Sequence, residues 1–163
     1  MGPRIGVNAG YKYGREFGTY DTKSVYDIAS EGHVDIMIGF SRFALIVTHG
    51  TFNLILDKTQ DRLNATEWGA RLSYALTPYF SVNGGTMLMT DTTFMRNNLP
   101  SLVGSDGLRL LVGADFFIWQ NWLINFGLKL DVSYGGSEAP FADGTTESYN
   151  GGTVMFQPYF TLL

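Results

Sequence analysis

The stretch LSYALTPYFSVNGG, residues 72–85, places an apolar side chain at every second position on both sides of a Thr-Pro pair. These positions are Leu72, Tyr74 and Leu76 before the pair and Phe80 and Val82 after it. Successive side chains of a strand point to opposite faces, so a period of two predicts two strands. The break between them predicts a tight turn at Thr77 and Pro78.

Composition narrows the classes of protein to which the chain can belong. Its 163 residues suit one domain, 1–163, and are enough to close a barrel. No run approaches the roughly 20 apolar residues of a membrane-spanning helix. With 15 acidic against 11 basic residues, nucleic acid is not expected as a partner. The absence of cysteine and the presence of only two histidines predict neither a metal site nor another cofactor.

Alternation of the same kind recurs along the whole chain. The eight alternating segments are residues 4–13, 34–40, 43–56, 65–76, 80–91, 107–118, 122–134 and 152–162. Tight turns after residues 40, 76 and 118 alternate with longer polar loops, of which residues 14–33 would form the first. This pattern predicts an all-β fold, an eight-stranded antiparallel up-and-down transmembrane β-barrel, with both termini at the end that carries the short turns.

In the first, fourth, sixth and seventh of these segments no charge falls on the apolar face, which is unbroken. The charges predicted for the interior are Lys12, Asp35, Glu67, Arg71, Arg109, Asp115, Lys129 and Asp131. Because Arg or Lys facing lipid at the bilayer midplane costs about 2–4 kcal/mol, we expect all eight to point into the lumen. Eight strands leave room for little more than side chains, so a plugging network of ion pairs is favoured over an ion pathway. A narrow channel remains an alternative interpretation, because glycine is abundant on the inward face.

Aromatic residues cluster where the predicted strands end, as expected at the two membrane interfaces. Those near the long loops are Tyr11, Tyr13, Trp68 and Tyr134, and those near the short turns are Phe40, Phe43, Tyr79, Phe80, Phe116, Trp119, Trp122 and Phe160.

Two places depart from the alternation. In segment 43–56 both parities are apolar before Thr48, which suggests a bulge near His49 and Gly50 and leaves the direction of His49 open, although a buried, hydrogen-bonded His49 is favoured. Pro158 cannot donate to a ladder and predicts a bulge or kink in the last strand.

With its strand count, its loop asymmetry and the turn LTPYFS, the chain resembles the small eight-stranded outer-membrane barrels, such as the OmpA transmembrane domain, OmpX and the OmpW group. The closing segment TVMFQPYFTLL is similar to a barrel-assembly signal, although Leu163 is not aromatic. The resemblance implies location in the outer membrane of a Gram-negative cell with both termini periplasmic. It also implies outer-membrane lipids, including lipopolysaccharide, as partners.

Three functions are consistent with this resemblance. The first is a structural or surface-interaction role in which apolar loop residues contact a protein partner. These loop residues are Tyr20, Tyr26, Phe94, Leu99, Leu102, Val103, Phe141 and Tyr149. The second is a narrow channel or transporter for small or hydrophobic solutes.

The third function is a lipid A acyl-modifying enzyme, because some barrels of this size carry out that chemistry with a His and a Ser at the outer rim. The candidate catalytic pair is His33, placed by the segments at the loop end of the second strand, and Ser30. No oxyanion-hole motif accompanies them, and a polar residue at the rim is the favoured interpretation of His33. An enzyme is therefore the less expected outcome.

Overall fold

The computed structural model describes residues 4–20, 23–55, 61–96, 99–101, 106–120 and 124–162. Its strands are β1 (Arg4–Tyr20), β2 (Lys23–Phe40), β3 (Phe43–Ile55), β4 (Arg62–Thr77), β5 (Phe80–Arg96), β6 (Leu99–Pro100), β7 (Gly107–Gln120), β8 (Ile124–Pro140) and β9 (Thr146–Leu162). Within the described ranges there is no helix with the length and apolar character needed to cross a membrane.

The eight long strands form a closed antiparallel ring. Each pairs with its neighbours along the chain, β4 pairs with β5, and β1 pairs with β9 to close the circle. The two-residue β6 folds back on the end of β5, outside the ring. The predicted eight-stranded antiparallel up-and-down barrel is confirmed.

The strands are tilted in the ring. The cross-strand partners that start at Val7 are, in turn, Ile36, Val47, Ala70, Thr86, Leu110, Tyr134, Gly152 and Phe17. One circuit therefore returns to β1 ten residues further along, from position 7 to position 17. A stagger of this kind accompanies a strand tilt of roughly 35–45°.

The two ends of the barrel differ. At one end β2 turns into β3 through Ser41 and Arg42, with Ser41 at a φ of 57°, and β4 turns into β5 through Pro78 and Tyr79. The start of β1 and the end of β9 lie at this same end, which we call the turn end. The opposite end is called the loop end. Part of the predicted turn after Ile118, including Trp122, lies outside the described residues.

The strands extend further toward the loop end than the alternation predicts. Residues 14–33, predicted as a loop, instead continue β1 to Tyr20 and start β2 at Lys23, where these two residues are paired. Likewise β5 continues to Arg96, and β8 and β9 are paired as far as Pro140 and Thr146. The ladder hydrogen bonds continue beyond the apolar band, where outward side chains no longer need to be apolar.

The predicted bulge in β3 is wrong. The register of β3 is continuous against both β2 and β4. His49 points outward and is exposed, with its ring stacked on Trp68 at a centroid distance of 3.9 Å and its Nδ1 3.2 Å from the Glu67 carbonyl oxygen. The expectation of a buried His49 is therefore also wrong. Both parities of β3 are apolar because residues such as Ile46 and Phe52 fill the lumen while their neighbours cover the wall.

The pairing of β9 with β8 passes through Pro158 without a register shift, so the predicted bulge is absent on that side. The described β1–β9 pairs instead stop at Tyr13 with Phe156 and resume, in the same register, at Asn8 with Thr161. This gap brackets Pro158, which has no N–H to donate. An irregularity does occur between β4 and β5, where Asp91 has a φ of 51°.

The outer wall is apolar over a continuous band. Outward residues such as Ile36, Leu72 and Val112 are about half exposed or more, with Val112 at 67%. Aromatic rings border this band: Tyr11, Tyr13, Trp68 and Tyr134 are exposed toward the loop end, and Phe40, Phe43, Tyr79, Phe116, Trp119 and Phe160 toward the turn end.

Candidate functional site

The structure places the eight charged residues selected by parity inside the lumen, where each is at most 3% exposed. Two further carboxylates, Glu16 and Glu31, join them there. The site assembled from these residues is therefore the interior of the barrel. The contacts among their side chains determine whether the lumen is open.

Asp35 accepts from four side chains near the middle of the barrel. Arg71 Nη2 donates to Asp35 Oδ1 at 2.9 Å, and Thr48 Oγ1 donates to the same oxygen at 2.6 Å. Lys129 Nζ at 3.0 Å and Asn8 Nδ2 at 3.2 Å reach Asp35 Oδ2. Since these groups come from β1, β3, β4 and β8, this one carboxylate links opposite walls of the barrel.

A second set of ion pairs is centred on Lys12. Its Nζ lies 2.7 Å from Glu31 Oε1 and 2.8 Å from Asp131 Oδ2. Arg71 Nη1 lies 3.4 Å from the same oxygen of Asp131 and joins this set to the contacts of Asp35. Buried charges are tolerated only when they are paired and hydrogen-bonded, and this network meets that condition for Lys12 and Arg71.

Arg109 forms a third set, closer to the loop end. Its guanidinium donates to Glu67, to the Ser133 hydroxyl and, at 2.9 Å, to Thr153 Oγ1. The Arg109 Cζ lies 4.2 Å from the centroid of the Phe52 ring, a cation–π contact. Phe52 therefore joins the polar lumen to an apolar layer beyond it.

This apolar layer fills the lumen toward the loop end. Its members are Ala29, Phe52, Leu54, Leu63, Ala65, Met89, Phe94, Phe141, Tyr149 and Met155. All are nearly fully buried, with Phe141 the most exposed at 6%. Together with the ion pairs, they pack the lumen with side chains from its middle to the loop end.

This layer corrects part of the loop-contact prediction. Phe94, Phe141 and Tyr149 were expected at exposed loop tips, but Phe94 lies in β5, Tyr149 lies in β9, and all three are buried. Their apolar side chains pack inside the barrel near its loop end instead of forming an exposed contact surface. Leu99 alone of the described candidates is exposed, at 68%. Tyr20 and Tyr26 lie on β1 and β2, with side chains outside the described part, and Leu102 and Val103 lie outside the described residues.

The candidate catalytic residues His33 and Ser30 do not come together. His33 lies within β2, ten residues after its start, and its ring is buried in the lumen. Its Nδ1 and Nε2 lie 3.8 Å from Glu31 Oε1 and 3.7 Å from Asp35 Oδ2, both too long for hydrogen bonds. Ser30 lies at an outward position of the strand, in line with the exposed Ile28 and Val34. Residues three apart in a strand point to opposite faces, so His33 cannot act on Ser30.

A cavity of about 170 Å³ opens at the turn end. Its inner wall includes Asp115, Ser81 and Ser73, and Ile46 and Phe117 supply apolar surface. Asp115 Oδ2 accepts from Ser81 Oγ at 3.0 Å and from Asn83 Nδ2 at 3.1 Å. The ion pairs and the apolar layer lie between this cavity and the loop end.

Glu16 and Glu31 were not predicted as lumen residues, because they lie in the stretch that was predicted as a loop. The spacing of two nonetheless continues through them, since Glu31 and His33 share the parity of Asp35, and Glu16 shares that of Lys12. The inward Phe52 and Leu54 were also not predicted, because they come after Thr48, beyond the part of residues 43–56 in which both parities are apolar. Among the described residues, no group of three or more His, Cys, Asp or Glu side chains is arranged to hold a metal ion.

Solved structures with the same fold are outer-membrane β-barrel proteins. Neisserial surface protein A (NspA) matches with a TM-score of 0.64 and 11% identity, over 99% of this chain and 99% of that chain. Ail, the attachment invasion locus protein of Yersinia pestis, matches with a TM-score of 0.56 and 14% identity, over 98% and 99%. The outer membrane protein OprG from Pseudomonas aeruginosa gives 0.51 and 12%, over 99% and 95%. No protein-family model and no curated protein matches the sequence. The chain therefore has the fold of the small outer-membrane barrels.

Proposed function

We propose that this protein is an integral outer-membrane barrel with a closed lumen that acts in a structural or surface-interaction role at its loop end. The supporting observation is the packing of the lumen, where ion pairs around Asp35, Lys12 and Arg109 lie beneath a buried apolar layer. The apolar outer band and its aromatic borders suit a bilayer that meets the barrel on all sides.

In this proposal the turn end, with both chain termini, faces the periplasm and the loop end faces outward. Short periplasmic turns and longer extracellular connections are the usual arrangement of such barrels. The described loop end exposes four carboxylates, Asp91, Asp106, Glu138 and Asp143, together with the apolar Leu99. A protein partner with basic and apolar groups would complement this surface. Ail, a structural neighbour, has been solved in complex with a heparin analogue, a polyanion for which this acidic rim is poorly suited.

Outer-membrane lipids, including lipopolysaccharide, are proposed as partners of the outer wall near the loop end. Arg15, Ile28, Ile55 and Arg62 are cross-strand neighbours in one exposed outward row. Three strand spacings of about 4.8 Å place the two arginines roughly 14 Å apart. Guanidinium groups bind phosphate in a bidentate manner, so this row suits the anionic headgroups of the outer leaflet.

Planar-bilayer recording tests the closed lumen. Purified protein refolded in detergent should insert without producing discrete conductance steps, whereas a porin prepared in the same way should conduct. Reproducible steps from the wild-type protein would contradict the proposal and favour the narrow-channel function, for which the turn-end cavity would be the entrance.

A lipid-dependent stability measurement tests the arginine row. Adding lipopolysaccharide to the micelles should raise the urea midpoint of the wild-type barrel, and the variant with Arg15→Gln and Arg62→Gln should lose most of this increase. Arg42→Gln, which changes an exposed arginine at the turn end, is the matched control and should keep the increase. An equal loss in the control would argue against the proposed orientation.

A further inference from the structure

Asn83 lies between two buried carboxylates in the half of the lumen nearer the turn end. Asn83, Gly113 and Asp131 are direct cross-strand neighbours on β5, β7 and β8, and Asp115 lies two residues from Gly113 on the same face. Asn83, Asp115 and Asp131 are each at most 4% exposed. Asn83 Nδ2 donates to Asp115 Oδ2, while Asn83 Oδ1, Asp115 Oδ1 and Asp131 Oδ1 have no hydrogen-bond partner.

The Asn83 amide cannot satisfy both carboxylates in either of its two orientations. With its nitrogen toward Asp115, its oxygen faces the side on which Asp131 lies. If the amide is turned over, the nitrogen can donate to Asp131, but the oxygen then faces Asp115. Either way one pair of acceptor oxygens is brought together without a donor, so the conclusion does not depend on how the amide is assigned.

The side-chain oxygens of Asp131 and Asn83 pack closely over Gly113, which has no Cβ of its own. A Cβ placed on Gly113 would overlap Asp131 Oδ1 and lie 2.8 Å from Asn83 Oδ1. Both oxygens are therefore directed at the same point over the glycine. Buried acceptors grouped in this way require a hydrogen-bond donor or a cation between them.

The charge of the lumen favours a cation. Among the described residues seven carboxylates are buried, Glu16, Glu31, Asp35, Asp61, Glu67, Asp115 and Asp131, against four buried cationic side chains, Lys12, Arg71, Arg109 and Lys129. The excess is three negative charges, and a protonated His33 would remove only one of them. The ion pairs among these residues do not include Asp115.

We propose that Asn83 Oδ1 and Asp131 Oδ1, which converge over Gly113, bind a small monovalent cation between them, with Asp115 contributing negative charge beside them. Carboxylate and amide oxygens suit hard cations. A divalent ion is disfavoured because Lys12 Nζ and Arg71 Nη1 lie 2.8 and 3.4 Å from the other oxygen of Asp131. The turn-end cavity, which reaches Asp115, provides the path of entry.

Cation-linked unfolding of the refolded barrel tests this site. The protein in detergent micelles is unfolded with urea in sodium chloride and in N-methylglucamine chloride at equal ionic strength, because that bulky cation cannot enter. At a sodium concentration ten times the dissociation constant, the unfolding equilibrium constant should fall about tenfold. Equal stability in the two salts would overturn the proposal, because water or a shared proton would then satisfy the oxygens.

Two variants in the site should change this sodium effect in opposite directions. Gly113→Ala places a methyl group where the two ligand oxygens converge and should abolish the difference between the salts, whereas Asn83→Asp adds a negative ligand and should enlarge it. Gly84→Ala, a glycine on the wall of β5 with room for a Cβ, is the matched control and should behave like the wild type. If Gly113→Ala fails to fold, Asn83→Asp still decides, since an unchanged or smaller sodium effect in that variant contradicts the site.

Discussion

At Arg109 a full positive charge is held inside the barrel by side chains from four other strands of the ring. Glu67 of β4 neutralises it, Ser133 and Thr153 of β8 and β9 accept hydrogen bonds from it, and Phe52 of β3 covers its face. The guanidinium keeps these contacts only while every partner is present. The energetic consequence appears when a single partner is removed.

Replacing Glu67 with Leu should destabilise the barrel by about 3–5 kcal/mol, because Arg109 would remain buried without its carboxylate. The double variant Glu67→Leu with Arg109→Met should recover most of this loss, since removing both partners removes the uncompensated charge. Urea unfolding in lipid vesicles, followed by tryptophan fluorescence, measures both. A single variant that loses less than about 1 kcal/mol would mean that the pair is solvated like a surface ion pair.

The sequence indicates on which side each charge lies, but not its partner. Lys12 and Asp131 share the inward parity, which a strand period of two reveals directly. Their contact depends on the ten-residue stagger of the ring, which brings distant positions of β1 and β8 to the same height. That stagger results from closure of the whole sheet, and no local pattern encodes it.

The β1–β9 seam brings two backbones close together at Gly14. Gly14 lies opposite Met155 there, and a Cβ on Gly14 would overlap the Val154 carbonyl oxygen and lie 2.7 Å from Met155 Cα. Both of these atoms belong to the backbone, so the neighbour cannot rotate away. Glycine at this position allows the first and last strands to pair.

Gly14→Ala should therefore destabilise the barrel by about 1–3 kcal/mol, the usual cost of forcing an extra methyl into a packed site. Gly84→Ala serves as the control, because the nearest atom to its new Cβ is the Leu111 carbonyl oxygen at 3.6 Å, an ordinary contact. Thermal unfolding of the two variants in the same detergent compares them. Equal stability would show that the seam can widen at no cost.

The strand boundaries show where alternation stops being informative. Within the hydrocarbon, outward residues must be apolar, so β7 was predicted over residues 107–118 and extends over Gly107–Gln120. Beyond it, the parts of β1 and β2 nearest the loop end keep their ladder hydrogen bonds, but their outward side chains no longer need to be apolar. The sequence therefore predicted a loop there. Sequence alone therefore predicts the membrane-crossing part of each strand better than its full length.

For the whole molecule, the outer band determines which solvent the barrel can accept. Val112 lies in the middle of this band, between Gly84 and Val132 on the neighbouring strands, and is 67% exposed. In water a surface of this kind would drive association, whereas in a bilayer it is solvated by lipid chains. The band is thus the feature that makes the molecule a membrane protein.

Val112→Arg should cost about 2–4 kcal/mol in lipid vesicles, as expected for a cation that faces lipid near the midplane. Glu138→Arg introduces the same side chain at an exposed position of β8 near the loop end and should cost about 0–1 kcal/mol. The two unfolding free energies, measured in vesicles of one composition, should therefore differ clearly. Similar values would indicate that the apolar band does not meet hydrocarbon.

Closure of the ring by β1 and β9 also has a kinetic consequence. Val7 pairs with Leu162, so the final seam joins residues from the two extremes of the chain. Topologies dominated by such non-local contacts fold slowly, because the entropy of closing a long loop is lost before the contacts compensate for it. Until that step both outer strands present open edges that could pair with other chains. We therefore expect folding to be slow, with strand edges open to other chains until β1 and β9 have paired.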